Sequence, residues 1–262
     1  MFSPPFEKSE KSTSDPFAPA YSPFRTTFAT VSLHRSDRIR LLSFPHADVV
    51  AIRGVIKEYW QKGIQEEQTY GPSFEFKLHG YPWQGQTSDA ITSRILMREI
   101  LAHLFKHGWI LHASTDVSKK EMDKDTLFFR KQQSPPPKSE WISISFNQFD
   151  RLRLIGANSE LISAMKQVLV SMNLLQEDRG WKDKELIAWE FKIRGNPWCA
   201  TGVETMTTRL LLMRILECLE SHGWSLYASI DQSTGRENTS ECDSWFCVKD
   251  KAWVEGMAVF HR

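Results

Sequence analysis

"HGWILHASTD" fills positions 107–116 and "HGWSLYASID" fills positions 222–231, nearly the same ten residues 115 positions apart. Working outward, 80–116 aligns with 195–231 without a gap and with 16 identities in 37 positions. Upstream, "FEFKLHGYPW" (74–83) answers "WEFKIRGNPW" (189–198) at the same offset, and "DRIRLL" (37–42) answers "DRLRLI" (150–155) at an offset of 113. The repeated unit covers about 105 residues, too long for a solenoid repeat and right for a small domain. One domain is written twice.

Each copy reads as strand, strand, helix, strand, helix, strand, strand. "ATVSL" and "RIRLLSF" are strands around the polar turn "HRSD", and "WISISF" and "RLRLIG" repeat this around "NQFD". A helix follows, with Pro45 at its first turn in one copy and Asn158 or Ser159 as N-cap in the other. Phe74, Phe76 and Leu78 alternate with Glu75 and Lys77, the period of a half-buried strand. A second helix is expected over 88–106 and 203–221, with Thr201 and Glu204 at capping-box spacing. Gly108 and Gly223 suit the left-handed residue that ends it, and strands near 109–116, 126–130, 224–231 and 244–249 close the units. The fold class is α+β: two tandem two-layer sandwiches of order ββαβαββ, each a mostly antiparallel sheet with two helices on one face. We expect the copies to be related by a pseudo-twofold.

Residues 1–26, rich in Ser, Pro and charge, are expected to be a disordered tail. Repeat 1 then spans 27–131, and the linker 132–140 contains "SPPP", an extended spacer. Repeat 2 spans 141–262 and closes on "GMAVFHR" as an added edge strand.

The near balance of 33 basic and 32 acidic side chains gives no global field to draw nucleic acid or an anionic membrane. No apolar run reaches the roughly 18 residues of a spanning helix. Cys199, Cys218, Cys242 and Cys247 form no C-x-x-C pair, which points to reduced thiols and a cytoplasmic or nuclear location.

Most matched positions have structural explanations: Leu96, Ile100, Leu101 and Leu104 recur as Leu211, Ile215, Leu216 and Leu219, a helical core stripe. Trp83 and Trp198 follow a Gly-x-Pro turn and offer, besides core packing, an aromatic slot for an apolar ligand. A second set is polar. Strand alternation places Trp109, Leu111 and Ala113 beneath the helices, and His112, Ser114 and Asp116 on the opposite side with Arg38, Arg40, Glu75 and Lys77. The twins are Tyr227, Ser229, Asp231, Arg151, Arg153, Glu190 and Lys192, identical except for His112/Tyr227. Exposed cross-strand ion pairs contribute only about 0.2–1 kcal/mol each, too little to explain their retention while the second helix changed Ala102 to Glu217 and Phe105 to Glu220. These residues are the candidate binding surface; the alternative is a solvated face of mutually neutralising charges.

No catalytic constellation emerges. Ser114 with Asp116 lacks a matched general base, because His112 becomes Tyr227. His103 and His107, replaced by Cys218 and His222, have metal-ligand spacing but no matched third ligand, so we expect no metal and no cofactor. Nucleic acid is not an expected partner, since the polar face lacks a stacking platform. Ser3, Ser22 and Ser134 each precede Pro and suit a proline-directed kinase. These features point to a non-enzymatic protein-interaction or scaffold protein that binds through the polar sheet faces or the groove between repeats. The alternative is an enzyme or small-ligand receptor whose cleft is lined by Asp116, Asp231 and both arginine pairs.

Overall fold

The computed structural model describes residues 25–84, 89–116, 124–232 and 242–259. The expected disordered tail through residue 24, with Ser3 and Ser22, lies outside them. The first copy runs β1 (Phe28–His34), β2 (Arg38–Leu42), α1 (His46–Tyr59), β3 (Ile64–Tyr70), β4 (Ser73–Leu78), α2 (Asp89–Lys106), β5 (Trp109–Thr115) and β6 (Thr126–Lys131). The second runs β7 (Ser139–Asn147), β8 (Arg151–Ile155), α3 (Ser159–Ser171), β9 (Leu175–Asp183), β10 (Ala188–Ile193), α4 (Glu204–Ser221), β11 (Trp224–Ile230) and β12 (Ser244–Asp250). Each set of strands forms one antiparallel six-stranded sheet, ordered β3-β4-β2-β1-β6-β5 and β9-β10-β8-β7-β12-β11.

The tandem α+β sandwich stands, with one more strand per copy than expected: the order is ββαββαββ. β3, "IQEEQTY", and β9, "LQEDRGWKD", carry no apolar alternation because each is a sheet edge with mostly exposed side chains. Charged side chains on an edge also blunt pairing with foreign strands.

Within each copy the helices cover one sheet face. Val49, Ile52 and Ile56 of α1 and Leu96, Ile100, Leu101 and Leu104 of α2 meet Val31, Leu33, Ile39, Phe76, Leu127 and Phe129. Leu161, Met165 and Leu169 of α3 and Leu211, Ile215 and Leu219 of α4 meet Ile142, Ile144, Leu152, Leu154, Phe191 and Ile193. Helix ends follow local chemistry. Asn158 Oδ1 accepts from Leu161 N at 2.9 Å, whereas Pro45 sits at the N-cap of α1 and offers only its carbonyl, to Asp48 and Val49. The capping box expected at Thr201 does not form: α4 begins at Glu204 behind Val203, and no side chain caps it. Gly108 and Gly223 take φ of +77° and +81°, the left-handed turn out of α2 and α4. The expected C-terminal strand is absent among the described residues; Trp253 Nε1 instead donates to Met257 O at 2.9 Å in a turn.

The copies meet through the twin edge strands β5 and β11 and through one helix. α2 packs against β7 of the other copy, while α4 lies on its own α3 and β11. α2 is therefore buried on both sides, with Ile91, Ser93, Arg94 and Ile95 joining its core stripe. Ile91 and Ile95 pack on Ile155 and Ala188, and Ala228, Ile230 and Phe246 of the second sheet share the first copy's core cluster.

Candidate functional site

The face of each sheet away from its own helices gathers most of the repeated polar residues. On the first sheet, Arg38 pairs with Lys77 and Arg40 with Glu75 across β2 and β4. Glu75 is wholly buried and accepts from Arg38 Nη1 at 2.5 Å, Arg40 Nε at 2.6 Å and Gln68 Nε2 at 2.8 Å. Burial pushes its carboxyl upward, but the hydrogen bonds from Gln68, Arg40 and Arg38 outweigh this and hold it below the usual carboxylate range. The Arg40 guanidinium also lies 3.7 Å over the Tyr70 ring. In the second sheet Glu190 takes the same place, with Arg153 at 2.6 Å, Arg179 at 3.1 Å and Arg151 at 3.9 Å. Lys192 stays partly exposed.

The expectation of weak, solvated ion pairs fails here. Both acids are buried beneath arginines, and a buried carboxylate stripped of its partners costs several kcal/mol. Retention of the cluster therefore has a structural reason, while the arginines still show an edge to solvent.

The serines and aspartates do not join this group. A β-bulge falls between Leu111 and Ala113, and another between Leu226 and Ala228. An extra residue reverses the alternation beyond it. Ser114 consequently pairs with Leu127 and Ser229 with Trp245, on the helix-covered face, while Ala113 and Ala228 turn outward opposite Phe128 and Phe246. Ser114 Oγ donates to Asp125 Oδ2 at 2.8 Å and Ser229 Oγ to Asp243 Oδ2 at 2.7 Å. Asp125 also accepts from Asp231 N at 3.1 Å, tying the copies together, and Asp116 is exposed just past β5. Asp125 and Asp243 stand outside the expected site although both open matched segments, "DTLF" and "DSWF". Their offset of 118 lies beyond the point where the gapless alignment ends.

The two outer faces differ in what covers them. Ser143, Ile155, Ala188, Ala228, Ile230, Ser244 and Phe246 are all buried, and α2 supplies the cover. Arg94 Nε of α2 donates to Ser244 Oγ at 3.0 Å and Arg98 Nη1 to Ile155 O at 3.4 Å. The first-copy twins of those positions, Thr30, Leu42, Ser73, Ala113, Thr115, Thr126 and Phe128, are all partly exposed.

The remaining candidates resolve into the core or the seam. Trp83 is fully buried and donates to Arg38 O at 3.1 Å, and Trp198 donates to Arg151 O at 2.9 Å, so each ring pins the turn to its own β-strand. His107 Nδ1 lies 2.8 Å from His103 O, and His222 Nδ1 lies 2.8 Å from Cys218 O, the same helix-end contact twice. Burial lowers the His103 pKa, and the neighbouring His107 adds to the effect. Among the described residues no three His, Cys, Asp or Glu gather as a metal site. Tyr227, in the second bulge, accepts from Leu111 N at 2.7 Å and stacks edge-on against Phe105 and Trp141. Beside it a cavity of about 200 Å³ lies between the copies, lined by Phe105, Leu111, Tyr227, Val248, Trp253 and Met257 among others. Its walls include neither Asp116, Asp231 nor the arginine pairs expected to line such a cleft. Among the described residues the cysteines form no disulfide, and no helix is long and apolar enough to cross a membrane.

No curated protein and no solved structure matches the chain. A protein-family model matches it twice, over residues 27–130 and 140–248, and the two matches coincide with the two sandwiches. The chain belongs to that family and carries its domain as a tandem pair.

Proposed function

We propose that the protein is a non-enzymatic interaction module that takes a helix of a protein partner onto the outer face of its first sheet. One observation carries this reading: the twin face of the second sheet already holds a helix, α2, while the first face keeps the same strands, small residues and Phe128 partly open. Arg38, Arg40 and Lys77 border that face, and they would supply charge-paired contacts at its rim, with Arg151, Arg153 and Lys192 as their second-copy counterparts. Glu75 and Glu190 hold these arginines in place, Ser114 and Asp231 meet at Asp125 on the seam, and Asp116 and Ser229 stand outside the proposed surface. Four cysteines outside any disulfide suit a reducing compartment, cytoplasm or nucleus. Ser134, exposed in the spacer ahead of Pro135, is the described position for a proline-directed kinase.

The test is a photo-crosslinking residue placed at Thr30 in the full chain, with Val170 on α3 as the control position. The reading expects protein adducts from Thr30 and none from Val170. Absence of adducts at Thr30 would overturn it.

A second reading rests on the cavity between the copies, whose aromatic and aliphatic walls suit a small apolar ligand. Such a ligand binds only the folded chain and raises its melting temperature. A panel of apolar metabolites that leaves the melting temperature unchanged would dismiss it.

A further inference from the structure

The intramolecular seat of α2 has a complete twin in the molecule, and both halves of that twin are open. In α2, Ile91 and Ile95 are 7% and 8% exposed because they press into the second sheet. Their twins on α4 are Met206 and Leu210, which stand 57% and 44% exposed, with Met213 one turn further at 56%. These three form one apolar stripe at helical spacing. Arg94 is matched by Arg209, and both adopt the same pose: Arg94 Nη1 donates to Ala90 O at 2.9 Å, and Arg209 Nη1 donates to Thr205 O at 3.0 Å. The hydroxyl that receives Arg94, Ser244, is matched on the first sheet by Thr126.

Where the two seats differ, the differences compensate. Phe105 of α2 meets Trp141 and Tyr227, and Val248 lines the same cavity. The α4 twin of Phe105 is Glu220, an acid, while the first-sheet twins of Tyr227 and Val248 are His112 and Arg130. In the twin seat an acid would meet two basic groups where the first seat has an aromatic contact, and Phe28, the counterpart of Trp141, stacks on His112 at 5.5 Å. Helix and sheet thus differ in matching ways although they belong to opposite copies, and among the described residues α4 packs on α3 and β11 and not closely on any strand of the first sheet.

We infer that α4 of one molecule docks on the outer face of the first sheet of a second copy, repeating between chains the seat that α2 occupies within one. This rests on the interaction reading above and names its partner. Each molecule offers one helix and one sheet face, so the contact is head to tail, and copies add in series until a ring closes or a filament grows.

Sedimentation of the full chain tests it. The weight-average mass should rise with concentration above the 30.4 kDa of one chain. Leu210→Lys, which spoils only the helix, and Thr30→Lys, which spoils only the sheet, should each sediment as a monomer with unchanged melting. Mixed in equal amounts they should form a species of twice the monomer mass and nothing larger, since each retains the half the other lacks. If either variant unfolds, Met206→Lys and Phe28→Lys, both at more exposed positions, take its place. A wild-type chain that stays monomeric, a helix variant that assembles normally or a mixture that fails to pair would each overturn the inference. Assembly gained only after deletion of residues 1–24 would also overturn it and assign the face to that segment. Adducts at Thr30 that contain only foreign chains would sink the second copy and leave the interaction reading standing.

Discussion

Arg94 Nε donates to Ser244 Oγ at 3.0 Å, a bond between residues 150 apart that joins the helix of one copy to the sheet of the other. Its twin residues, Arg209 and Thr126, sit on opposite outer surfaces of the same molecule. An identical arginine therefore holds two different jobs.

That difference is measurable. Arg94→Ala should lower unfolding free energy by about 2–3 kcal/mol, because it deletes a buried charged donor and strands its acceptors. Arg209→Ala, on an exposed helix face, should change stability by less than about 0.5 kcal/mol. Urea denaturation of dilute protein reads both, and equal effects would remove the distinction drawn between α2 and α4.

The buried acid of the first sheet makes a pH prediction. The Glu75 carboxyl is held below its usual range in the folded chain, so its contribution to stability is fully present above the unfolded value of about 4.5. The contribution fades as pH falls through the lower folded value. Glu75→Ala should cost about 3 kcal/mol at pH 7 by leaving Arg38 and Arg40 without their partner. The gap between wild type and variant should then narrow as pH is taken well below 4.5. A gap that widens in acid would contradict the sign.

The bulged strands predict a matched pair of losses. Ser114→Ala and Ser229→Ala each remove the hydroxyl that reaches Asp125 or Asp243, and each should destabilise by about 1 kcal/mol. Neither should affect photo-crosslinking at Thr30, because both hydroxyls face the helices. A serine variant that loses crosslinking while keeping its melting temperature would return these residues to the binding surface.

Thiol titration separates the cysteines. Cys199 and Cys242 are exposed and should react with an aromatic disulfide reagent in the native protein. Burial pushes the Cys218 thiol up to about 11 and the Cys247 thiol further still, so both should stay unreactive until the chain unfolds. Four fast thiols in native buffer would show that the second core is open.

The sequence by itself determined the duplication, the class of the domain and most of its core, because a buried helical stripe and an alternating strand leave periodic marks that need no partner to be read. Phe74, Phe76 and Leu78 announce β4 in that way; β3 and β9 do not, since an edge strand with exposed side chains carries no apolar alternation. Likewise the bulges at His112 and Tyr227 are silent in sequence, and one inserted residue was enough to move Ser114 and Ser229 to the opposite side of the sheet. Only the tertiary structure decided which outer face is covered. Ile91, Ile95 and Arg94 differ little from Met206, Leu210 and Arg209 in chemistry, yet the first set is buried and the second exposed. Burial between domains is a property of how two surfaces are brought together, and an isolated helix pattern records only that a surface is suited to being covered.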